Sequence, residues 1–113
     1  MTMTTVIYPV QDLAGAKAVF GALFGRAPDM DQSYYVQWDV DGQQFGLDPN
    51  GHAKGMTGPV GYHRVDDIAA TVAALLAAGG AEREAAHDVG GGRLVATVAD
   101  ADGNSIGLMQ SPW

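Results

Sequence analysis

Two side chains that could bind a ligand flank a histidine in the apolar residues 60–65. Tyr62 offers an aromatic wall with a polar tip, and Arg64 offers a planar fork of donors for a carboxylate or carbonyl oxygen. Successive side chains of a strand point to opposite faces, so Tyr62 and Arg64 share one face and His63 takes the other. We expect Tyr62 and Arg64 to contact a ligand and His63 to pack in the core. The alternative for Arg64 is an ion pair with an acidic side chain such as Asp48.

A further histidine, His87, precedes three glycines in a polar stretch. An imidazole titrates near neutral pH, so His87 is the catalytic candidate of this sequence, as a general base, and also a candidate for hydrogen bonding to a ligand. An exposed histidine at a strand end is the alternative. The predicted ligand-binding set is completed by Trp38, Asp48 and Met109. Trp38 could stack on a flat ligand, as could Tyr35, although its alternation with apolar neighbours also fits a core position.

Several other chemistries are excluded by residue type. The chain has no cysteine, and therefore no disulfide, thiolate metal site or cysteine nucleophile. The glycines at residues 90–92 lack the lysine and the strand–loop–helix context of a phosphate-binding loop, so we expect a turn there. No Ser-His-Asp spacing and no paired-carboxylate motif stands out.

Charge and hydropathy narrow the class of partner. Six Lys and Arg residues stand against 13 Asp and Glu in 113 residues, which gives a net charge of −7. Such a chain repels nucleic-acid backbones and anionic membrane surfaces and favours a cationic or aromatic ligand. The N-terminal residues MTMTTVIYPV do not form a signal peptide, and no apolar run of about 20 residues could span a membrane. We therefore expect a cytoplasmic protein with neither nucleic-acid nor membrane partners.

The elements that position these side chains occur twice. The segment VQDLA at residues 10–14 is similar to VDDIA at residues 65–69, and residues 39–47 match residues 100–108 at five of nine positions. Each unit has a short apolar strand, a helix with an aspartate at its N-terminus (Asp12, Asp67) and glycine at its end (Gly25, Gly79 and Gly80), and then further strands. We predict one α+β domain over residues 1–113, with module one at about 1–50, a linker at 51–59 and module two at about 60–113.

This doubled pattern, with V-x-D before each helix and D-x-D-G before each last strand, resembles the vicinal oxygen chelate superfamily of glyoxalases, bleomycin resistance proteins and extradiol dioxygenases. The resemblance covers nearly the whole chain. It implies two tandem βαβββ modules that form a curved mixed sheet with a cleft, and helices on the outer face. It also implies a homodimer.

The enzymes of that superfamily usually hold a divalent metal with four His, Gln or Glu ligands. The resemblance assigns these ligand positions to Thr5, Gly46, Val60 and Gly107, and none of the four carries such a side chain. We therefore expect no metal and no cofactor, and a metal-independent protein that binds a small molecule such as an antibiotic or an aromatic metabolite. The alternatives are a glyoxalase-like lyase, isomerase or dioxygenase with a divalent metal at other positions, such as His63 or His87, and a non-catalytic interaction domain.

Overall fold

The same βαβββ order is present twice in the computed structural model, which describes residues 3–112, except for the side chain of Met3. The chain forms two compact units, residues 4–60 and 61–112. The predicted α+β class and the tandem βαβββ modules are confirmed.

Module one contains β1 (Met3–Pro9), α1 (Leu13–Phe24), β2 (Met30–Gln32), β3 (Tyr35–Val40) and β4 (Gln43–Asp48). Its strands lie in the order β2-β3-β4-β1, with β1 parallel to β4 and the other pairs antiparallel. A short 3-10 helix (His52–Lys54) follows. The sequence did not predict β2, which has three residues, all exposed.

Module two contains β5 (Val60–Arg64), α2 (Ile68–Ala77), β6 (Ala81–Asp88), β7 (Leu94–Ala99) and β8 (Ser105–Gln110). Its strand order is β5-β8-β7-β6, with β5 parallel to β8. This is the topology of module one, with the eight-residue β6 in place of the short β2. Neither α1 nor α2, the helices within residues 3–112, has the length and apolar character that crossing a membrane requires.

Both helices begin and end where the sequence predicts. The carboxylates of Asp12 and Asp67 each accept a hydrogen bond from the backbone N–H three residues further on, which satisfies a donor that has no partner within the helix. Gly25 and Gly79 follow the last helical turns with φ of 70° and 108°. Residues that have a Cβ rarely adopt a positive φ, so glycine is favoured at the end of both helices.

The repeated D-x-D-G motif builds two different turns. In module one, Asp41 and Gly42 both have positive φ and join β3 directly to β4, as in a type I′ hairpin turn. In module two, residues 100–104 form a longer turn around the Asp100 carboxylate. It accepts hydrogen bonds of 2.9 Å from the backbone N–H groups of Asp102 and Asn104 and from the Asn104 side chain.

The glycine run forms the turn between β6 and β7, as expected. Gly90, Gly91 and Gly92 all have positive φ. The turn is closed by a hydrogen bond of 2.9 Å from the Val89 N–H to the Arg93 carbonyl.

The core of module one lies between its sheet and α1, and Trp38 is its centre. Val36, Trp38 and Leu47 are fully buried. The centroid of the indole ring lies 5.4 Å from that of the Phe24 ring. The indole N–H donates a hydrogen bond of 3.1 Å to the Arg26 carbonyl. The prediction of Trp38 as a ligand contact is therefore wrong: the strand alternation turns the ring towards the helix, where it has no exposed surface.

The core of module two lies between its sheet and α2. It consists of Val65, Ile68, Val72, Ala96, Val98 and Leu108. His63 pairs with Leu108 in the register of β5 and β8, so its side chain lies on the α2 side of the sheet, as predicted. It is half-buried there.

We predict that Trp38→Ala lowers the free energy of unfolding by about 3–5 kcal/mol, because it empties the centre of a closely packed core. Urea denaturation followed by circular dichroism measures this change. Val19→Ala, at a side chain of α1 that is 69% exposed, is the control and should change stability by at most about 0.5 kcal/mol. Equal effects of the two substitutions would contradict the core position of Trp38.

The turn around Asp100 predicts a pH dependence. The pKa of Asp100 lies below its ordinary value of 3.8 because the Asn104 side chain, and then the backbone of Asn104, donate to the charged carboxylate. The stabilisation is therefore present above the unfolded pKa and is lost as the pH falls through the folded pKa. Asp100→Ala should lower the urea midpoint at pH 7, and the difference from wild type should shrink below pH 3.8. A difference that stays constant down to pH 2, or that Asp102→Ala reproduces, would refute this role.

Candidate functional site

The face of the module-two sheet opposite α2 brings together four predicted site residues. The strand register places its side chains in two adjacent rows, because directly paired residues share a face. The first row, from β5 to β6, is Arg64, Met109, Val95 and His87, and the second is Tyr62, Gly107, Thr97 and Glu84. We call these eight residues the module-two face.

The first row has an apolar middle and polar ends. Met109 is 6% exposed and Val95 is half-buried, whereas Arg64 and His87 are exposed. Neighbouring strands lie about 4.8 Å apart, so the row spans about 14 Å from β5 to β6. Because Met109 is almost fully buried, the surface of this row that a ligand can reach comes from Val95 and from the polar ends, Arg64 and His87.

The imidazole of His87 is oriented by its own strand. Its Nδ1 lies 2.8 Å from the Ala85 carbonyl, which can only accept, so Nδ1 carries the proton. Nε2 lies 3.6 Å from Glu84 Oε1. When the ring is neutral, Nε2 can accept a proton or a hydrogen bond. When it is charged, it forms an ion pair with Glu84.

Gly107 allows the Tyr62 ring to lie across β8. A Cβ at residue 107 would lie 2.7 Å from Cγ and Cδ1 of Tyr62 and 2.9 Å from the Gly61 carbonyl oxygen. Contacts this short do not occur between real atoms of these types. The space that a side chain of residue 107 would need is therefore taken by the aromatic ring.

Gly46 in module one has the same kind of neighbour. A Cβ at residue 46 would overlap the hydroxyl end of Tyr35, which donates to Gln37 Oε1 at 2.9 Å. Tyr35 comes from β3, whereas Tyr62 comes from β5. Gly46 and Gly107 occupy equivalent places in the repeat. Each is covered by a tyrosine of its own module, but the two tyrosines come from strands that are not equivalent.

The four positions that the resemblance assigns to metal ligands do not fit a divalent metal. Gly46 and Gly107 have no donor atoms and no room for a side chain. Val60 has no donor either, and the buried Thr5 hydroxyl donates to Gln44 Oε1 at 2.8 Å. Within residues 3–112, no three His, Asp or Glu side chains are grouped closely enough to hold a metal ion.

Asp48, a predicted ligand contact, has a structural role in module one. It is 7% exposed, and one carboxylate oxygen accepts from the Lys54 ammonium group at 2.8 Å. The other oxygen accepts from the Asn50 N–H, also at 2.8 Å. These bonds hold the turn that follows β4, and they engage both oxygens of the carboxylate.

Sequence reasoning missed Arg93 and Val89. Arg93 comes two residues before Val95 and pairs with Val89 at the closing end of the hairpin, so the alternation puts both on the side of the module-two face. Val89 is 53% exposed. Counting back in steps of two from Val95 would have found Arg93, because the strand alternation continues to that residue.

A surface groove of about 460 Å³ lies at the corner between β5 and α2. Its lining residues are Arg64, Val65, Asp66, Asp67, Ala70, Thr71 and Ala74. Asp67 already caps α2, and the Thr71 hydroxyl donates to the Asp67 carbonyl. Two of the four polar side chains of the groove, Asp67 and Thr71, therefore already bond within the first turn of α2. We place the candidate site on the module-two face, which the groove adjoins at Arg64.

The glycine–tyrosine contacts predict unequal costs for two matched substitutions. Gly107→Ala should lower the free energy of unfolding by about 1–3 kcal/mol, because the neighbours are the base of a ring and a backbone carbonyl. Gly46→Ala should cost less, because the hydroxyl end of Tyr35 can swing aside. In a Tyr62→Ala background, Gly107→Ala should become cheaper. Urea denaturation of the four variants tests this order, and equal costs at residues 46 and 107 would disprove it.

The sequence of the chain matches no protein-family profile and no curated protein. Its fold matches solved structures. The NAD-dependent benzaldehyde dehydrogenase from Legionella pneumophila has a TM-score of 0.75 at 11% identity, over 94% of this chain and 96% of that one. A glyoxalase/bleomycin resistance protein/dioxygenase superfamily member from Vibrio splendidus 12B01 has a TM-score of 0.72 at 14% identity, over 95% and 97%.

A third similar structure is the Mn(II)-bound glyoxalase from Novosphingobium aromaticivorans. Its TM-score is 0.69 at 18% identity, over 96% of this chain and 38% of that one. Identities this low show the fold and not the activity. Together with the tandem βαβββ modules, these matches show that the chain has the fold of the vicinal oxygen chelate superfamily.

Proposed function

We propose that the protein binds a small molecule on the module-two face without the help of a metal. The observation that carries this proposal is the tyrosine ring over each glycine, at Gly46 and Gly107. These are the two last-strand positions from which the resemblance would take metal ligands. A divalent metal would need donors there, and the packing of Tyr35 and Tyr62 takes the place of such donors.

The module-two face has the mixture of surfaces that small-molecule sites use. Such sites combine an apolar lining with a few polar groups that fix orientation. Here Val95, beside the nearly buried Met109, supplies the apolar surface, Tyr62 an aromatic wall, and Arg64 and His87 the polar groups. This supports stacking of a flat ligand with hydrogen bonds at its ends.

Sequestration without turnover suits this set of residues better than catalysis. Lyase, isomerase or dioxygenase chemistry in this superfamily relies on a divalent metal, and the assigned ligand positions do not fit one. His87 could act as a general base without a metal. Metal-free catalysis would also need a general acid beside it. The neighbouring carboxylate, Glu84, is instead placed to form an ion pair with His87. We propose a cytoplasmic homodimer that captures an antibiotic or an aromatic metabolite.

Metal independence predicts that the purified protein retains no stoichiometric metal. The protein is loaded separately with manganese, nickel, zinc and iron salts and dialysed, and its metal content is measured. The Mn(II)-bound glyoxalase from Novosphingobium aromaticivorans, treated in parallel, is the positive control. One divalent metal per chain or per dimer, retained through dialysis, would overturn the proposal.

Binding predicts a ligand-dependent rise in Tm in a screen of natural-product antibiotics and aromatic metabolites. A ligand at one hundred times its Kd stabilises the folded state by about 2.7 kcal/mol. Tyr62→Ala should abolish the rise while folding normally, and light scattering during size-exclusion chromatography reports whether the protein is a dimer. Hits whose shift survives Tyr62→Ala would place the site elsewhere, and a screen without hits would count against binding.

A further inference from the structure

We infer that module one carries a second binding site, which accepts the edge of a lactam or another cyclic amide. The site uses no residue of the module-two face and does not depend on the proposed function. An amide held in a small ring presents its N–H and its C=O side by side. Asp39 and Gln44, which are paired across β3 and β4, offer the complementary groups, a carboxylate acceptor beside an amide donor.

The two side chains are neighbours on the face of the module-one sheet that is turned away from α1. Trp38 packs in the core beside α1, so the alternation of β3 puts Asp39 on the opposite face. Directly paired residues such as Asp39 and Gln44 have Cβ atoms about 4.5–5.5 Å apart. Asp39 is exposed and Gln44 is half-buried, so a ligand can reach both.

The amide of Gln44 is held in place by a buried neighbour. Thr5, which is 6% exposed, donates its hydroxyl hydrogen to Gln44 Oε1 at 2.8 Å. This bond uses the carbonyl end of the amide and leaves both N–H groups of Nε2 without a partner among residues 3–112. Gln44 therefore contributes a hydrogen-bond donor whose orientation the fold already fixes.

The carboxylate of Asp39 is held by the next side chain on the same face. Gln37 accepts a hydrogen bond from the Tyr35 hydroxyl at 2.9 Å and donates from Nε2 to Asp39 Oδ1 at 3.1 Å. The other oxygen, Oδ2, accepts no hydrogen bond from residues 3–112. Because folding has already ordered these side chains, a ligand that bonds to Oδ2 does not have to order them.

The cation that contacts Asp39 does not neutralise its carboxylate. Arg26 forms an ion pair with Asp29 and donates to the backbone carbonyl of Asp39. The charges of Arg26 and Asp29 cancel, so Asp39 and the exposed Asp41 of the following turn leave this end of the sheet negative. An anionic ligand is therefore disfavoured here, in agreement with the net charge of −7.

The donor and the acceptor together select the class of ligand. A carboxylate would accept from Gln44 but would be repelled by Asp39. An amidinium would donate to Asp39 but would place its own N–H groups against those of Gln44. A cyclic amide donates its N–H to Asp39 Oδ2 and accepts from Gln44 Nε2, so it leaves neither group unpaired, which is the costly arrangement.

Four fragments test this selection: 2-pyridone, N-methyl-2-pyridone, benzamidine and benzoate. The probe is the side-chain NH₂ signal of Gln44 in ¹⁵N-labelled protein, assigned by its loss in Gln44→Glu, with the Gln32 side chain as internal control. 2-Pyridone should shift this signal and bind at least about tenfold more tightly than N-methyl-2-pyridone, which cannot donate to Asp39. Benzamidine and benzoate should both bind more weakly than 2-pyridone.

Replacing the donor by an acceptor should change the ligand preference. Gln44→Glu keeps an oxygen for the Thr5 hydroxyl but presents a second carboxylate to the ligand. It should weaken 2-pyridone binding by about tenfold or more and strengthen benzamidine binding by a similar factor. Gln32→Glu, which adds the same charge at an exposed residue of β2, is the control and should leave both affinities nearly unchanged. Backbone N–H signals of β3 and β4 measure binding in these variants.

A second pair of variants tests the acceptor. In Asp39→Asn, the side-chain oxygen takes the bond from Gln37 and an NH₂ group faces the ligand, so 2-pyridone should bind about tenfold more weakly or worse. Asp41→Asn removes the same charge, and asparagine tolerates the positive φ of 51° at this residue. This control should leave the affinity for 2-pyridone nearly unchanged.

The outcomes separate this site from the module-two face. Equal affinities of 2-pyridone and N-methyl-2-pyridone, or equal losses in Asp39→Asn and Asp41→Asn, would show that the inference is wrong. It also fails if no fragment shifts the Gln44 signal. Binding of 2-pyridone should survive Tyr62→Ala, and its loss there would overturn the placement in module one. Hits of the Tm screen that depend on Tyr62 decide the proposed function whatever the fragments do.

Discussion

The packing of a tyrosine ring on a glycine of a neighbouring strand is the contact on which the proposed site depends. Because glycine has no Cβ, the Tyr35 ring lies directly against the strand at Gly46, and the Tyr62 ring does so at Gly107. The contact places an aromatic surface where the resemblance would expect a metal ligand. A side chain at either glycine would have to displace the ring, so the aromatic surface and a metal ligand exclude each other at these positions.

A helix on one side of each sheet determines what the other side can present. Alternation sends every second side chain of the strands into the core, as for Val36, Trp38 and Leu47 in module one. The remaining side chains face away from the helix, and the register aligns them in rows. In module two the rows join residues that are far apart in sequence, so that Arg64, Met109 and His87 lie in one row across the sheet.

Local spacing and backbone conformation were enough to predict the duplicated order of strand, helix and further strands, the helix ends at Asp12 and Gly25, and the strand parity of Tyr62 and His63. The sequence left Trp38 open between core and ligand, and it missed β2 and Arg93. These points depend on which face the helix covers and on the register between strands, and both are defined only in the folded sheet. The tertiary structure also showed that tyrosines cover Gly46 and Gly107, because residues from separate strands meet only once the sheet has formed.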